Sequence, residues 1–176
     1  MQYLHATPDL PLILCSDGTS NVNWWADGSP STHLNACGNS GFCMSLSKGM
    51  IVSSSLKQKL NTQSSTETEL VAANDSMPLL LWANNFLQVQ DFNHKETILH
   101  QDNQSAILLE KNGRLLGSKC TRHLNMKYFF ITDHIHHGDL IMKYCPTEKM
   151  IANFLTKPLQ GATFTKFHQA LMNLPS

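Results

Sequence analysis

The order of strand and helix patterns restricts this chain to a mixed sheet covered by helices. Two short apolar runs, 41–46 and 50–55, are separated by a turn that contains Gly49, and they predict a hairpin. A long amphipathic helix follows, and strand and helix patterns then alternate to the end of the chain. This order is typical of an α/β fold of the mixed, α+β kind, in which helices pack on the faces of the sheet. Functional sites in such sheets gather at the ends of strands.

The length of 176 residues suits one domain. Residues 1–10 are interpreted as a leader or linker, and 11–176 as a single domain. Residues 18–40, rich in Gly, Ser and Asn, are interpreted as a long loop. The predicted strands are 12–17, 41–46, 50–55, 97–101 and 139–145. The predicted helices are 63–88, 103–112, 122–138, 147–157 and 163–174.

Composition excludes several classes of protein. Hydrophobic residues make up 41% of the chain, which is enough for a core. No apolar run approaches the length of a membrane span, and no secretory leader opens the chain, so we expect a soluble protein that has no membrane partner. Five cysteines without a CxxC spacing predict free thiols in a reducing compartment.

The formal net charge is zero, which argues against a general nucleic-acid binder, but the basic residues are unevenly distributed. The segment between Glu110 and Asp133 contains no acid, and neither does the segment between Asp27 and Glu67. The first segment carries Lys111, Arg114, Lys119, Arg122, His123 and Lys127. A neutral chain with two acid-free basic segments can present a face to a polyanion, and an ordinary solvated lysine surface remains the alternative.

Three acids stand where chemistry is expected. Asp17 ends the first predicted strand, Asp102 ends the fourth, and Glu69 lies in the second turn of the long helix. If these strands are neighbours and the helix packs across them, the three carboxylates converge and repel each other, unless Mg²⁺ or Mn²⁺ neutralises them. The structural alternatives are a turn residue for Asp17, a helix cap for Asp102 and an exposed helix-start acid for Glu69.

Four further stretches of the sequence are informative: LKQKLNTQSSTETELVAAND, HQDNQSAILLEKNG, KCTRHLNMKYFFITD and KYCPTEKMIANFLTKPLQG. They resemble the ribonuclease H domain at the end of copia-type retrotransposon polyproteins, and the likeness covers roughly residues 7–165. The resemblance implies a ribonuclease H-like fold with a five-stranded mixed sheet flanked by helices. It also implies two-metal hydrolysis of the RNA strand of RNA–DNA hybrids, which leaves a 5′-phosphate and a 3′-hydroxyl.

The resemblance further implies that Asp17, Glu69 and Asp102 hold two Mg²⁺ or Mn²⁺ ions. The fourth acid of the family pattern falls in IANFLTKP, where this chain has Asn153. An asparagine offers an oxygen but no negative charge. We therefore expect the second ion to bind more weakly, with a higher metal requirement or a preference for Mn²⁺, and activity to be reduced.

Short polar side chains suit the reading of 2′-hydroxyls in the shallow minor groove of a hybrid. Those expected to do so are Ser64, Ser65, Asn103, Gln104 and Ser105, and those expected to contact the nucleic-acid backbone are Lys119, Arg122, His123 and Lys127. Trp24 and Trp25 either stack on bases or cover the edge of the core. A reverse transcriptase domain of the same polyprotein is the expected partner, in the cytoplasm, a virus-like particle or the nucleus.

Two rival functions remain open. One is a catalytically decayed or co-opted copy of the same fold that only binds nucleic acid or a partner, and Asn153 favours it. The other is a phosphatase or exonuclease that uses a similar cluster of acids on an unrelated substrate.

Overall fold

The computed structural model describes residues 5, 7–30, 37–112 and 122–175, and for residues 112 and 122–129 it describes the backbone alone. The strands are β1 (Val22–Ser29), β2 (Asn39–Ser45), β3 (Val52–Lys57), β4 (Thr97–Gln101) and β5 (Ile141–Tyr144). The helices are α1 (Ser65–Val89), α2 (Gln104–Asn112), α3 (Arg122–His137), α4 (Asn153–Thr156) and α5 (Gly161–Met172), with a 3₁₀ turn at Thr147–Lys149.

The strands form one mixed sheet in the order β3-β2-β1-β4-β5. Strands β1, β2 and β3 are antiparallel neighbours, whereas β4 pairs in parallel with both β1 and β5. The predicted α/β class with a five-stranded mixed sheet is confirmed. The central position of β1 makes it the strand from which side chains can meet those of both halves of the sheet.

The prediction of a loop over 18–40 is wrong for Val22–Ser29, because these residues form β1. Val22, Trp24 and Ala26 alternate along β1 and are completely buried, and the Trp24 ring stacks on Phe42 with 5.7 Å between ring centroids. Trp25 points to the opposite face of the sheet, where it packs near Cys43. Both tryptophans are therefore part of the packing on the sheet.

The predicted strand over 12–17 is also wrong. Leu12, Ile13 and Leu14 are 47%, 38% and 54% exposed, and their segment joins no strand of the sheet beyond an isolated bridge from Cys15 to Lys48. The segment instead runs beside the end of α5, where the N–H of Ile13 donates to the Met172 carbonyl at 3.0 Å. Its apolar side chains contact the outside of the domain, which explains why their pattern suggested a buried strand.

Helix α1 begins at the predicted cap. The Ser64 hydroxyl accepts a hydrogen bond from the N–H of Glu67 at 3.2 Å, and the Glu67 carboxylate accepts one from the N–H of Gln63 at 2.8 Å. Its apolar side, with Met77 and Leu80, packs on the sheet face that carries Trp24. Phe154 and Leu155 of α4 and Leu171 of α5 pack on the opposite face. No helix in the described ranges is both long enough and apolar enough to cross a membrane.

Candidate active site

Three carboxylates meet at one edge of the central strands. They belong to Asp27 in β1, Glu69 in the second turn of α1 and Asp102 directly after β4, and one oxygen of each lies within 4.8 Å of the others. Asp27 is completely buried and Glu69 is 6% exposed. Carboxylate oxygens at this spacing are a donor set suited to a hard divalent cation such as Mg²⁺ or Mn²⁺. We call these three residues the acid cluster.

The parallel register of β1 and β4 brings two of the acids together. Trp25 is paired with His100, and their rings stack with centroids 4.9 Å apart. Side chains two residues apart lie on the same face of a strand. Asp27 and Asp102 each follow this pair by two residues, so they occupy the next row on the same face.

Glycine at position 28 lets α1 approach close enough to supply the third acid. A Cβ atom on Gly28 would lie 2.5 Å from the Thr68 carbonyl oxygen, which belongs to the backbone of α1. With no side chain there, the Gly28 N–H donates a hydrogen bond of 3.0 Å to the Glu69 carboxylate. The same glycine therefore sets the distance between helix and strand and orients Glu69.

Asp17 does not belong to this cluster. It is exposed, and its Oδ1 accepts hydrogen bonds from the N–H of Thr19 at 2.9 Å and from the Thr19 hydroxyl at 2.7 Å. These contacts close a local turn, so the expectation of a catalytic Asp17 is corrected because the segment before it is not a sheet strand. The acid that β1 contributes is Asp27, and its signal was an Asp-Gly pair inside the alternating run VNWWADGS.

Asp102 is not the cap of α2. The cap is Asn103, whose Oδ1 accepts a hydrogen bond from the N–H of Ala106 at 3.1 Å. The Asp102 side chain instead accepts a hydrogen bond from the Thr147 hydroxyl at 3.1 Å. Its carboxylate also interacts electrostatically with Asp27, Glu69 and Lys157.

Asn153 lies beside the acid cluster and reaches it through a lysine. Its Nδ2 donates to the Thr147 carbonyl at 3.2 Å, and its Oδ1 accepts a hydrogen bond from the Lys157 ammonium. The same ammonium lies 3.3 Å from Asp27 Oδ1, while the Thr156 hydroxyl donates to Asp27 Oδ2. The last residue of α4 and the residue after it therefore provide the hydrogen-bond donors to Asp27.

Burial and mutual repulsion hold the cluster short of full ionisation. Burial, followed by the charges of Asp27 and Asp102, raises the pKa of Glu69 to about 9. Burial and the Asp27 charge also raise the pKa of Asp102. A bound divalent cation would remove the cause of this repulsion, so the donor chemistry and the electrostatics of the cluster both fit a metal ion.

The raised pKa predicts that the metal-free domain loses stability as pH rises. Between about pH 4.5, the ordinary pKa of Glu69, and about pH 9, its folded-state pKa, the unfolded chain binds fewer protons than the folded one. The stabilisation is complete below this window and is lost across it. Thermal unfolding in a chelator should show Tm falling by about 5 °C or more between pH 5.5 and 8.5. Glu69→Gln should flatten this slope, and an equal slope in that variant would contradict the assignment.

The residues expected to read the substrate fall into two groups. Ser64, Ser65, Gln104 and Ser105 are exposed at the starts of α1 and α2, whereas the Asn103 side chain caps α2. Lys119 lies outside the described residues, as do the side chains of Arg122, His123 and Lys127 in the first half of α3. Both helices begin within a few residues of a cluster acid, so their first turns border the acid cluster.

No protein-family model matches the chain, but curated relatives do. The Retrovirus-related Pol polyprotein from transposon TNT 1-94 of Nicotiana tabacum is 32% identical over 117 residues, or 66% of this chain. The corresponding polyprotein from transposon RE2 of Arabidopsis thaliana is 27% identical over 178 residues, or 97% of this chain. The chain spans 9% and 12% of the length of these two relatives.

Solved structures share the fold at low sequence identity. The LC11 ribonuclease H1 isolated from compost superposes with a TM-score of 0.54 at 15% identity, over 78% of this chain and 93% of that one. The same enzyme in complex with an RNA/DNA hybrid gives 0.51 at 18% identity, over 77% and 93%. A foamy viral protease-reverse transcriptase in complex with dsDNA gives 0.51 at 16% identity, over 82% and 96%. The polyprotein relatives and the shared fold together identify the chain as a ribonuclease H-like domain of the family found in copia-type retrotransposon polyproteins.

Proposed function

We propose that this domain is a metal-dependent endonuclease that hydrolyses the RNA strand of RNA–DNA hybrids. The observation that carries the proposal is the convergence of Asp27, Glu69 and Asp102 from three separate elements of a ribonuclease H-like fold. Support comes from a solved neighbour of this fold that was crystallised with an RNA/DNA hybrid. The products would be a 5′-phosphate and a 3′-hydroxyl.

The acid cluster would hold Mg²⁺ or Mn²⁺, and we propose two ions. Bound there, such ions supply an activated water and neutralise the charge that develops on the phosphate and the leaving oxygen. The protein's own contribution is orientation. Glu69 is held by the Gly28 N–H, Asp102 by the Thr147 hydroxyl and Asp27 by the end of α4. These contacts position the carboxylates before any ligand arrives.

The hybrid would lie over the starts of α1 and α2. Gln104 and Ser105 follow Asp102 by two and three residues and are exposed, and Ser64 and Ser65 are exposed at the start of α1. Their amide and hydroxyl groups can hydrogen-bond to 2′-hydroxyls, and the free N–H groups of a helix start favour a nearby phosphate. The remaining predicted contacts to the nucleic-acid backbone are Lys119, Arg122, His123 and Lys127.

The relatives suggest the biological setting. Each is a Pol polyprotein of a transposon and is far longer than this chain. We propose that the domain works beside a reverse transcriptase domain of the same polyprotein, on hybrids produced during reverse transcription. An intracellular location, whether cytoplasm, virus-like particle or nucleus, is part of this proposal.

A decayed copy that binds hybrid without cleaving it is the second candidate. The observation that favours it is Asn153, whose amide is engaged by Thr147 and Lys157 and brings no charge to the acid cluster. Against it stands the intact set of three converging carboxylates, which a binding protein would not need. A phosphatase or exonuclease that uses the same acids is the third candidate.

One assay separates these candidates. A labelled RNA–DNA hybrid, single-stranded RNA, duplex DNA and a small phosphate monoester are each incubated with the domain in Mg²⁺ or Mn²⁺, beside the Asp102→Asn variant. Internal cleavage of the RNA strand that the variant loses, by about a hundredfold or more, supports the proposal. Binding of the hybrid without cleavage in either metal would establish the decayed copy. Circular dichroism of the variant controls for misfolding.

The same assay tests the consequence of Asn153. With no fourth carboxylate, the wild-type domain should need more Mg²⁺ for half-maximal cleavage than Asn153→Asp, by about threefold or more, because the added charge attracts a divalent ion. The variant should also unfold about 1 kcal/mol more easily, since the hydrogen bond from Nδ2 to Thr147 is lost. Full wild-type activity at low Mg²⁺ would refute a weakened site.

A further inference from the structure

Lys157 is placed where a metal ion would also be attracted. Its ammonium lies 3.3 Å from Asp27 Oδ1 and donates to Asn153 Oδ1, so it joins a cluster acid to the neutral residue at the fourth position. Asp27 is completely buried, whereas the Lys157 side chain is 40% exposed. The acid is therefore fixed by the fold, while the lysine has a path to solvent.

The Asn153 side of the acid cluster is the space between Asp27 Oδ1 and Asn153 Oδ1, which the Lys157 ammonium occupies. A cation that binds there must displace this ammonium. Both oxygens of Asp27 are engaged, one by Lys157 and the other by the Thr156 hydroxyl. A divalent ion that takes Asp27 Oδ1 as a ligand at the Asn153 side would meet the positive charge of Lys157, which lies 3.3 Å from that oxygen. Because the ammonium is a mobile point charge on a flexible stem, it can withdraw to solvent instead of breaking the fold.

A cation held by Glu69 and Asp102 would not have to displace the Lys157 ammonium. Glu69 receives its hydrogen bond from the Gly28 backbone, and the hydroxyl of Thr147 donates to Asp102, so both are held by neutral donors. The Lys157 charge acts on these two acids without forming an ion pair with either. Among the described residues, Lys157 forms an ion pair with a cluster acid, and that acid is Asp27. The two sides of the site therefore differ in how they are neutralised.

We infer that Lys157 is a built-in cation that takes the place of the second divalent ion at the Asn153 side. The domain would then hold one divalent ion at Glu69 and Asp102, and a second would enter at Asp27 only by displacing the ammonium. This inference rests on the proposed function, since it assumes that the acid cluster binds metal. It identifies Lys157 as a positioning residue that sets metal stoichiometry and affinity.

Direct metal binding tests this inference without any assay of activity. Mn²⁺ is titrated into the wild-type domain and into Lys157→Met, and bound ions are counted by the loss of the free Mn²⁺ electron paramagnetic resonance signal. The wild type should bind one ion with high affinity and a second weakly. Removing the ammonium should tighten the second ion by on the order of tenfold.

Lys166→Met is the matched control. Lys166 lines the same depression as Lys157, but its ammonium donates to the Glu148 carbonyl at 2.6 Å and does not contact the acids. Lys166→Met therefore removes one positive charge from the same depression as Lys157→Met does. Its binding curve should match that of the wild type, so a general effect of net charge is separated from the contact with Asp27.

The outcomes distinguish this inference from the proposed function. Unchanged Mn²⁺ binding in Lys157→Met, with or without a lower Tm, would show a purely architectural lysine and overturn the inference alone. Tightening of equal size in both lysine variants would also overturn it. If Asp102→Asn binds Mn²⁺ as well as the wild type does, the cluster is not a metal site, and both the proposed function and this inference fail.

Discussion

Asp27→Asn should reduce the rate of hybrid cleavage by on the order of a thousandfold, whereas Asp17→Asn should leave it within about twofold. The reason is geometric, because Asp27 is a buried member of the acid cluster and Asp17 closes an exposed turn with Thr19. Initial rates on a labelled RNA–DNA hybrid, at saturating Mg²⁺ and again at saturating Mn²⁺, measure both effects. The two variants make the same chemical change ten residues apart.

Comparison of these two variants also decides whether Asp17 or Asp27 belongs to the active site. The sequence pattern favoured Asp17, and the sheet register favours Asp27. Loss of cleavage in Asp17→Asn together with normal cleavage in Asp27→Asn would mean that β1 is placed wrongly in the sheet. Both proteins should retain the circular dichroism spectrum of the wild type, since neither acid is part of the apolar core.

Gly28→Ala should both destabilise the domain and impair cleavage. The added methyl group would lie 2.5 Å from the Thr68 carbonyl, so α1 must move away from β1 and carry Glu69 with it. We expect a loss of about 2–3 kcal/mol in the free energy of unfolding and at least a tenfold loss of cleavage. Urea unfolding and initial rates on the hybrid measure the two effects separately.

Glu69→Gln should be compared with Gly28→Ala, because it removes the charge of Glu69 without moving α1. The amide keeps the shape of the carboxyl and can still accept the hydrogen bond from the Gly28 N–H, so stability at neutral pH should be retained. Cleavage should nevertheless be lost, because the negative charge is gone. If Gly28→Ala unfolds and cleaves like the wild type, the close approach of α1 to β1 is not what positions Glu69.

The sequence predicted the second half of the sheet better than the first for a physical reason. The runs at β4 and α2 are bounded by a polar residue or a glycine, and their local pattern agrees with their environment. In β1 the polar residues Asn23, Asp27 and Ser29 face the functional side of the sheet, which lowers the apparent hydrophobicity of a buried strand. The more apolar segment 12–17 was therefore mistaken for it.

The candidate site was predictable to the same extent. Glu69 and Asp102 follow recognisable boundaries, a helix cap and a strand end, so their convergence could be expected from sequence. Asp27 depended on the strand register between β1 and β4, which no local pattern encodes. The contact of Lys157 with Asp27 is longer in range still, and only the folded chain reveals it.

The parallel pairing of β1 with β4 has a consequence for the order in which the domain folds. The hairpins of β1, β2 and β3 join strands that are close in sequence. Asp102 lies beyond α1 in the chain and approaches Asp27 only when β4 pairs with β1. A nascent or truncated chain that lacks β4 would thus be inert towards divalent ions. A divalent ion bound at the acid cluster would add its binding free energy to this last docking step and so stabilise only the fully folded domain.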